Sequence, residues 1–323
     1  VNRFLIIPRL QIHNANALSS PYTIGFPAMT AWLGGVHALQ RKLNGGQFDE
    51  LVFTRAAVAC HSIDLQTHKG RGDYVHSIIG TGNPLDKNGE RPSFIEEARC
   101  HLTVSLVIEY QGVDADDYDT FLAAIETQLN TLKLAGGDIL GFNKPELLKV
   151  GANADLAKLT RKLMPSYVLK ERRDLMIEAM QNQGDNIDAI DALLDYLTVQ
   201  HRSEADEANA VELSSEEPSP KGEGWVRGNQ KADKVRQTEW TAKRKTAGWI
   251  VPIATGFHGI SALGKAENQR DPDTPHRFAE SLVTLGEFVM PYRIKRLDDL
   301  LWHSRYDAEN NLYLIEQNNR KEK

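Results

Sequence analysis

Arg9, His13, Asn14, Asn16, Ser19 and Ser20 fall within one short stretch, residues 8–21, of a 323-residue chain. Asn, Ser and His supply hydrogen-bond donors and acceptors without net charge. The stretch follows a buried-strand pattern, Arg3-Phe4-Leu5-Ile6-Ile7, and precedes a helical one, so it reads as a strand-to-helix connection. A connection this long in a compact domain is functional or disordered, and its polar side chains favour function. Two Cys-His dipeptides, Cys60-His61 and Cys100-His101, invite a zinc site. Adjacent residues on a strand point to opposite faces, so four such ligands do not converge on one metal. No Gly-x-Ser-x-Gly elbow and no Gly-x-x-x-x-Gly-Lys-Ser/Thr loop occurs. The expectation is therefore a protein without metal or cofactor.

The elements that hold these residues come from periodicity. Phe26, Met29, Trp32, Leu33, Val36, Leu39 and Leu43 recur at helical spacing, with Gly25 as N-cap and Pro27 in the first turn. Gly34 and Gly35 inside that helix imply close approach of another backbone. Residues 51–59 read as a second strand, and Cys100, Leu102, Val104, Leu106 and Ile108 alternate as a third. Asp116-Asp117 opens a helix with the stripe Tyr118, Phe121, Leu122, Ile125, Leu129 and Leu132, ended by Gly136 or Gly137. A last strand falls within residues 138–150. Strand, helix, strand, strand, helix, strand predicts an α+β, ferredoxin-like antiparallel sheet with two helices over residues 1–150. Residues 61–93 lose periodicity and read as an inserted loop or protruding hairpin.

Residues 151–323 form a more helical second half, with helices expected over 154–164, 170–181 and 187–199 and a late one through Phe278, Leu282, Leu285, Phe288 and Val289. Within it, residues 203–245 read as a flexible charged insert. Six acids without a base lie between Ser203 and Glu217, and eight Lys or Arg against three acids occupy residues 221–245. A hydrophobic content of 41% supports a sizeable core, and no apolar run is long enough to span a bilayer. Together with only two cysteines this predicts a cytoplasmic protein. The net charge of −6 argues against indiscriminate nucleic-acid binding, though not against a local basic surface.

Several short motifs occur in one order: Pro8-Arg9-Leu10, Asn14-Ala15-Asn16-Ala17, Ser19-Ser20-Pro21, Gly25-Phe26-Pro27, Val36-His37-Ala38-Leu39-Gln40-Arg41, Asn83-Pro84-Leu85, Ala98-Arg99-Cys100-His101-Leu102, Leu134-Ala135-Gly136-Gly137-Asp138, Gly248-Trp249-Ile250-Val251-Pro252-Ile253 and Asp299-Leu300-Leu301-Trp302. In these the chain resembles, nearly end to end, the 5′-handle-binding subunit of the type I-F CRISPR surveillance complex, a member of the repeat-associated superfamily. Only residues 203–245 lack a counterpart. The resemblance implies a non-catalytic protein with a projecting thumb that holds the 5′ handle of CRISPR RNA, pairs with the large subunit, caps the backbone subunits and meets target DNA through the assembled complex. It implies RNA contacts from Arg9, His13, Asn14, Asn16, Ser19, Ser20, Arg41, Asn83, Arg99, Gly136 and Gly137. Lys243, Arg244 and Lys245 are candidates for DNA. The enzymatic alternative is a metal-independent repeat endoribonuclease using His13 or His37 as general acid or base. A third reading, prompted by Trp225, Trp240, Trp249 and Trp302, is a scaffold that binds only proteins.

Overall fold

Four consecutive apolar residues, Phe4, Leu5, Ile6 and Ile7, are all buried, which requires cover on both faces of the strand that carries them. That strand is β1 (Asn2–Asn16) in the computed structural model, which describes residues 2–79, 84–91, 97–151, 153–183, 188–204, 239–269 and 271–318. After it come β2 (Leu18–Ser20), β3 (Thr23–Ile24), α1 (Met29–Asn44), β4 (Val52–Leu65), β5 (Thr67–His68), β6 (Ser77–Ile78), β7 (Arg99–Gln111), α2 (Tyr118–Leu129), β8 (Lys133–Leu134), β9 (Gly137–Gly141) and β10 (Glu146–Val150). The remainder supplies α3 (Asn153–Lys162), β11 (Tyr167–Glu171), α4 (Arg173–Gln183), α5 (Ala189–Leu197), β12 (Gln200–Glu204), β13 (Glu239–Lys243), β14 (Trp249–Gly259), β15 (Ala279–Val289), β16 (Trp302–Asp307) and β17 (Leu312–Gln317).

The architecture is mixed α and β, dominated by one large antiparallel sheet. β1 pairs with β7 along one edge and with β10 and then β9 along the other, and β7 pairs in turn with β4. α1 and α2 bury Met29, Trp32, Val36, Leu39, Phe121, Ile125 and Leu129 against one face, where Leu5, Ile7, Leu10, Ile12, Val104 and Leu106 meet them. Among the described residues, the opposite face is covered at one end. There Phe4, Ile6, Ala57, Ala59 and Val107 pack on Leu156, Leu159 and Leu163 of α3 and on Leu300 and Leu301.

β4 has a second edge, and two strands share it. Ala56 pairs with Trp302 of β16, while Ala59 and Cys60 pair with Val168 and Tyr167 of β11. Between those two strands runs the order β16-β17-β14-β15-β11, so the strands from the second half return to the edge on which they start. Inside this arc the Trp302 indole donates to the Leu169 carbonyl at 3.2 Å, and the Gln317 amide donates to Leu169 and Leu300 carbonyls at 3.2 Å. Residues 1–193 and 248–323 form one compact unit; Leu194–Ala247 form another, containing the β12–β13 pair.

Several local expectations are corrected. The polar residues 8–16 are not a loop but continue β1, because β7 and β9 pair them on both edges; a tight β2–β3 hairpin follows. α1 starts at Met29 rather than near Phe26, with Ala28 as N-cap. Gly35 faces the Leu134 side chain, not another backbone, and Gly34 faces open space. β4 extends to Leu65, and residues 138–150 hold two strands where one is expected. Residues 170 and 171, the start of the helix expected over 170–181, belong to β11, and α4 begins at Arg173. The late helix is a strand, Ala279–Val289, held on both sides by β14 and β11. Its Gly286 lets the neighbours approach closely, since a Cβ there would lie 2.9 Å from Leu169 Cδ1 and 3.3 Å from Ile253 Cγ2. Within the expected hairpin region, β5 and β6 form a short antiparallel pair, while residues 80–83 and 92–96 lie outside the described ones. Most of the charged insert, residues 205–238, lies outside them too.

Candidate nucleic-acid interface

A regular strand alternates its side chains, so polar residues crowd one face only where the alternation is broken. β1 breaks it twice. Between Ile7 and Leu10, Pro8 and Arg9 stand opposite the single residue Ser105 of β7; between Ile12 and Ala15, His13 and Asn14 stand opposite His101. These are β-bulges, and each contains a left-handed residue, Arg9 at φ 55° and Asn14 at φ 56°. A bulge leaves a backbone N–H without a ladder partner, and here a β7 side chain accepts each one. Arg9 N–H donates to Ser105 Oγ and Asn14 N–H to His101 Nδ1, both at 3.1 Å.

The first bulge is anchored further. His61 lies 2.7 Å from the Pro165 carbonyl through Nδ1 and 2.7 Å from Ser105 Oγ through Nε2. A carbonyl only accepts, so Nδ1 carries the proton and the Ser105 hydroxyl donates to Nε2. Burial pushes the His61 pKa below its usual value; the Pro165 bond opposes this and the Arg9 charge adds to it. The second bulge stacks rings: His13 and His101 lie 4.1 Å apart at 10°. Beyond the part covered by α3, this face therefore carries Arg9, Gln11, His13, Asn14, Arg99, His101, Thr103 and Ser105, with His13, Asn14 and Gln11 exposed.

Farther along β1 the chain reaches a second polar feature. Asn16, Ser19, Pro27, Ala28, Ala31, Ala135 and Gly136 surround a cavity of about 190 Å³ at the N-terminus of α1. Ala28 makes no side-chain cap bond and the first turn of α1 has no acidic residue; the Ala31 N–H bonds the Ala28 carbonyl at 3.0 Å. Ala135 and Gly136, at φ 49° and 78°, make the tight turn between β8 and β9. Gly137 is packed against the second bulge, where a Cβ would meet His13 O at 2.7 Å and Ala15 N at 2.8 Å. A larger cleft of about 500 Å³ between α3 and Pro291–Arg293 has a mainly apolar lining with Arg161 and Lys295.

The structure thus gathers Arg9, His13, Asn14, Asn16, Ser19, Gly136 and Gly137 along β1 and the turn beside it. Asn16 Oδ1 accepts from Leu18 N–H, and the buried Ser20 hydroxyl bonds Thr23 and accepts from Tyr22 N–H, so both serve their own turns. Arg99 is paired with Glu97. Arg41 sits in the last turn of α1, at the opposite end of that helix from the cavity. Asn83 lies outside the described residues. In the second unit Arg244 is exposed, and Lys245 pairs with Asp195 and lies 4.4 Å over the Tyr196 ring. Lys243 ends β13.

The two Cys-His dipeptides divide between the faces. Cys60 and Cys100 point into the helix-side core, where burial pushes their thiols up to about 11 and about 12, whereas His61 and His101 point to the other face. Among the described residues no group of three or more His, Cys, Asp or Glu is placed to hold a metal ion. No helix among them is long and apolar enough to cross a membrane. His37 is exposed on α1, across the sheet from His13. The residues that sequence reading misses are Ser105, His61 and the partnership of His101 with His13. Alternation does place His101 and Ser105 on one face of β7; the bulges opposite them leave no mark in a single sequence.

The model of a protein family described as "CRISPR-associated protein (Cas_Csy2)" matches residues 5–315. A relative described as "CRISPR-associated protein Csy2", from Pseudomonas aeruginosa (strain UCBPP-PA14), is 34% identical over 329 residues, covering 96% of this chain and 93% of the relative.

Proposed function

Because the chain belongs to the Csy2 family of CRISPR-associated proteins, we propose that it is a non-catalytic subunit of the type I-F RNA-guided surveillance complex that holds the 5′ handle of CRISPR RNA. The observation that carries the proposal is the open strip of β1 and β7, where two bulges turn Arg9, His13 and Asn14 outward beside the cavity at Asn16, Ser19 and Gly136. Neutral donors and acceptors with a few cations suit single-stranded RNA, whose splayed bases expose their edges and whose phosphates need counter-charge. The pairing order β4-β7-β1-β9, with α1 and α2 on one face, supports reading residues 1–150 as a ferredoxin-like core. The large subunit and the backbone subunits are the proposed protein partners, in the cytoplasm. Arg244, with Lys243 and Lys245, is the proposed approach to target DNA. The alternative, a metal-independent endoribonuclease using His13 or His37 as general acid or base, predicts cleavage of the bound RNA.

The test is anisotropy of labelled RNA carrying a repeat-derived 5′ end, against a scrambled RNA of equal length, with a denaturing gel of the same samples. The repeat-derived RNA binds more tightly and stays intact on this reading; equal affinities, or cleavage, would sink it. Arg9 has no ion-pair partner among the described residues. Arg9→Ala should make the plot of log affinity against log salt shallower by about 0.7, the value of one single-strand phosphate contact. An unchanged slope removes Arg9 from the phosphate path.

A further inference from the structure

We propose that the stacked His13–His101 pair is a seat for one unpaired nucleobase, with Arg9 holding a phosphate of the same strand. The inference deepens the RNA-binding reading above and rests on it. Two imidazoles 4.1 Å apart and within 10° of parallel form a flat π surface, and the exposed His13 presents it to solvent. The pair is built rather than incidental. His101 is oriented by the Asn14 N–H bonded to Nδ1, which places the proton of the neutral ring on Nε2, and His13 is brought onto it by the bulge that Gly137 supports from behind.

The neighbouring charges select a base rather than a phosphate at this point. Asp64 of β4 stands directly across from His101, and Asp138 of β9 directly across from His13, so both carboxylates share the face of the pair. Asp138 is paired with Lys133 at 2.6 Å, and Asp64 accepts from the Gln66 amide at 3.1 Å. A phosphate on the rings would face these carboxylates, whereas a base brings an uncharged ring and amino edges that the carboxylates accept. Arg9, which has no ion-pair partner among the described residues, stands at the other bulge, about 13 Å up the strand by its rise per residue. One strand of RNA laid along β1 would place a base on the histidines and a phosphate on Arg9. Histidine is among the side chains on which unpaired bases stack, and stacking tolerates any base because each has a π face.

The test uses the full chain and a single-stranded RNA containing 2-aminopurine, whose fluorescence is quenched on stacking, with affinity measured by anisotropy. His13→Ala should lower affinity by about 5- to 150-fold and abolish part of the quenching, and His13→Phe should restore both. Wild-type chain that binds no RNA would overturn the RNA-binding reading and this proposal with it. Wild-type chain that binds, with His13→Ala binding and quenching equally, would overturn the seat alone. Loss in His13→Ala without rescue by His13→Phe would also overturn it, since a polar contact rather than a ring face would then be responsible.

Discussion

Arg55→Ala is expected to destabilise the folded chain by about 3–5 kcal/mol, the usual cost of leaving one member of a buried ion pair behind. Arg55 of β4 grips the buried Glu109 of β7 with two bonds, 2.7 and 3.0 Å, and reaches Asp298 at 2.9 Å; Thr54 adds a third bond to Glu109 at 2.7 Å. Burial alone would raise the Glu109 pKa, but the bonds from Arg55 and Thr54 and the Arg55 charge outweigh it and hold the carboxyl below its ordinary value. A depressed folded pKa means that this stabilisation is complete above the unfolded carboxylate pKa and is lost as pH falls through the folded one. In the variant only burial and the Thr54 bond remain, so stability should instead fall as pH rises past the carboxylate range. Urea unfolding across pH 3–8 reads both effects, and parallel curves for variant and wild type would refute this account of Glu109. The double variant R55M/E109L should recover most of the loss, because apolar replacement of both partners removes the stranded charge.

Gly137→Ala is expected to cost about 1–3 kcal/mol or more, as overpacking against atoms that cannot yield. Its Cβ would lie 2.7 Å from His13 O, 2.7 Å from Ile12 Cγ2 and 2.8 Å from Ala15 N, two of them backbone atoms of the second bulge. Relief requires β9 to move away from β1 or the bulge to shift, and a shift of the bulge displaces Asn14 from His101. Gly34→Ala is the internal contrast. It sits within α1 facing open space and should stabilise by about 1 kcal/mol through helix propensity. Chemical denaturation of the two variants should move the midpoint in opposite directions; a Gly137→Ala protein as stable as wild type would mean that β9 does not pack this closely.

What the sequence discloses about this fold depends on which interactions decide each element. The stripes Met29, Trp32, Val36, Leu39, Leu43 and Phe121, Ile125, Leu129 are legible because a helix buries what its own 3.6-residue period places on one side, and all eight are buried. The alternation Cys100 to Ile108 is legible for the same reason at period two. Residues 8–16 are not, because each bulge adds a residue and resets the alternation, so a paired strand takes on the look of a polar loop. Ala279–Val289 misleads because Leu282, Leu285 and Val289 fit helical spacing as well as strand, and the choice is made by β14 and β11, which lie elsewhere in the sequence. At the interface, residue types were readable and partnerships were not. Asn16 and Ser20 have the chemistry of ligand-reading side chains and use it on their own turns, whereas His101 becomes notable only once β7 sets it against His13.

The strand β4, whose outer edge is shared by β11 and β16, has a consequence for how the protein is made. Arg55 and its partner Asp298 are 243 residues apart, so at about 5–20 residues per second a ribosome needs about 10–50 s to deliver the second after the first. β7 can dock on the inner edge of β4 early, but the outer edge stays a row of unpaired donors and acceptors until the later strands emerge, and such an edge recruits other nascent chains. The sequence along it blunts the hazard. Arg55 and Asp64 flank the apolar run of Ala56, Ala57, Val58 and Ala59, and charged residues on an edge discourage strand addition between copies. Arg55 therefore has two roles separated in time: gatekeeper of an unfinished sheet during translation, and counter-ion to Glu109 once the arc has closed.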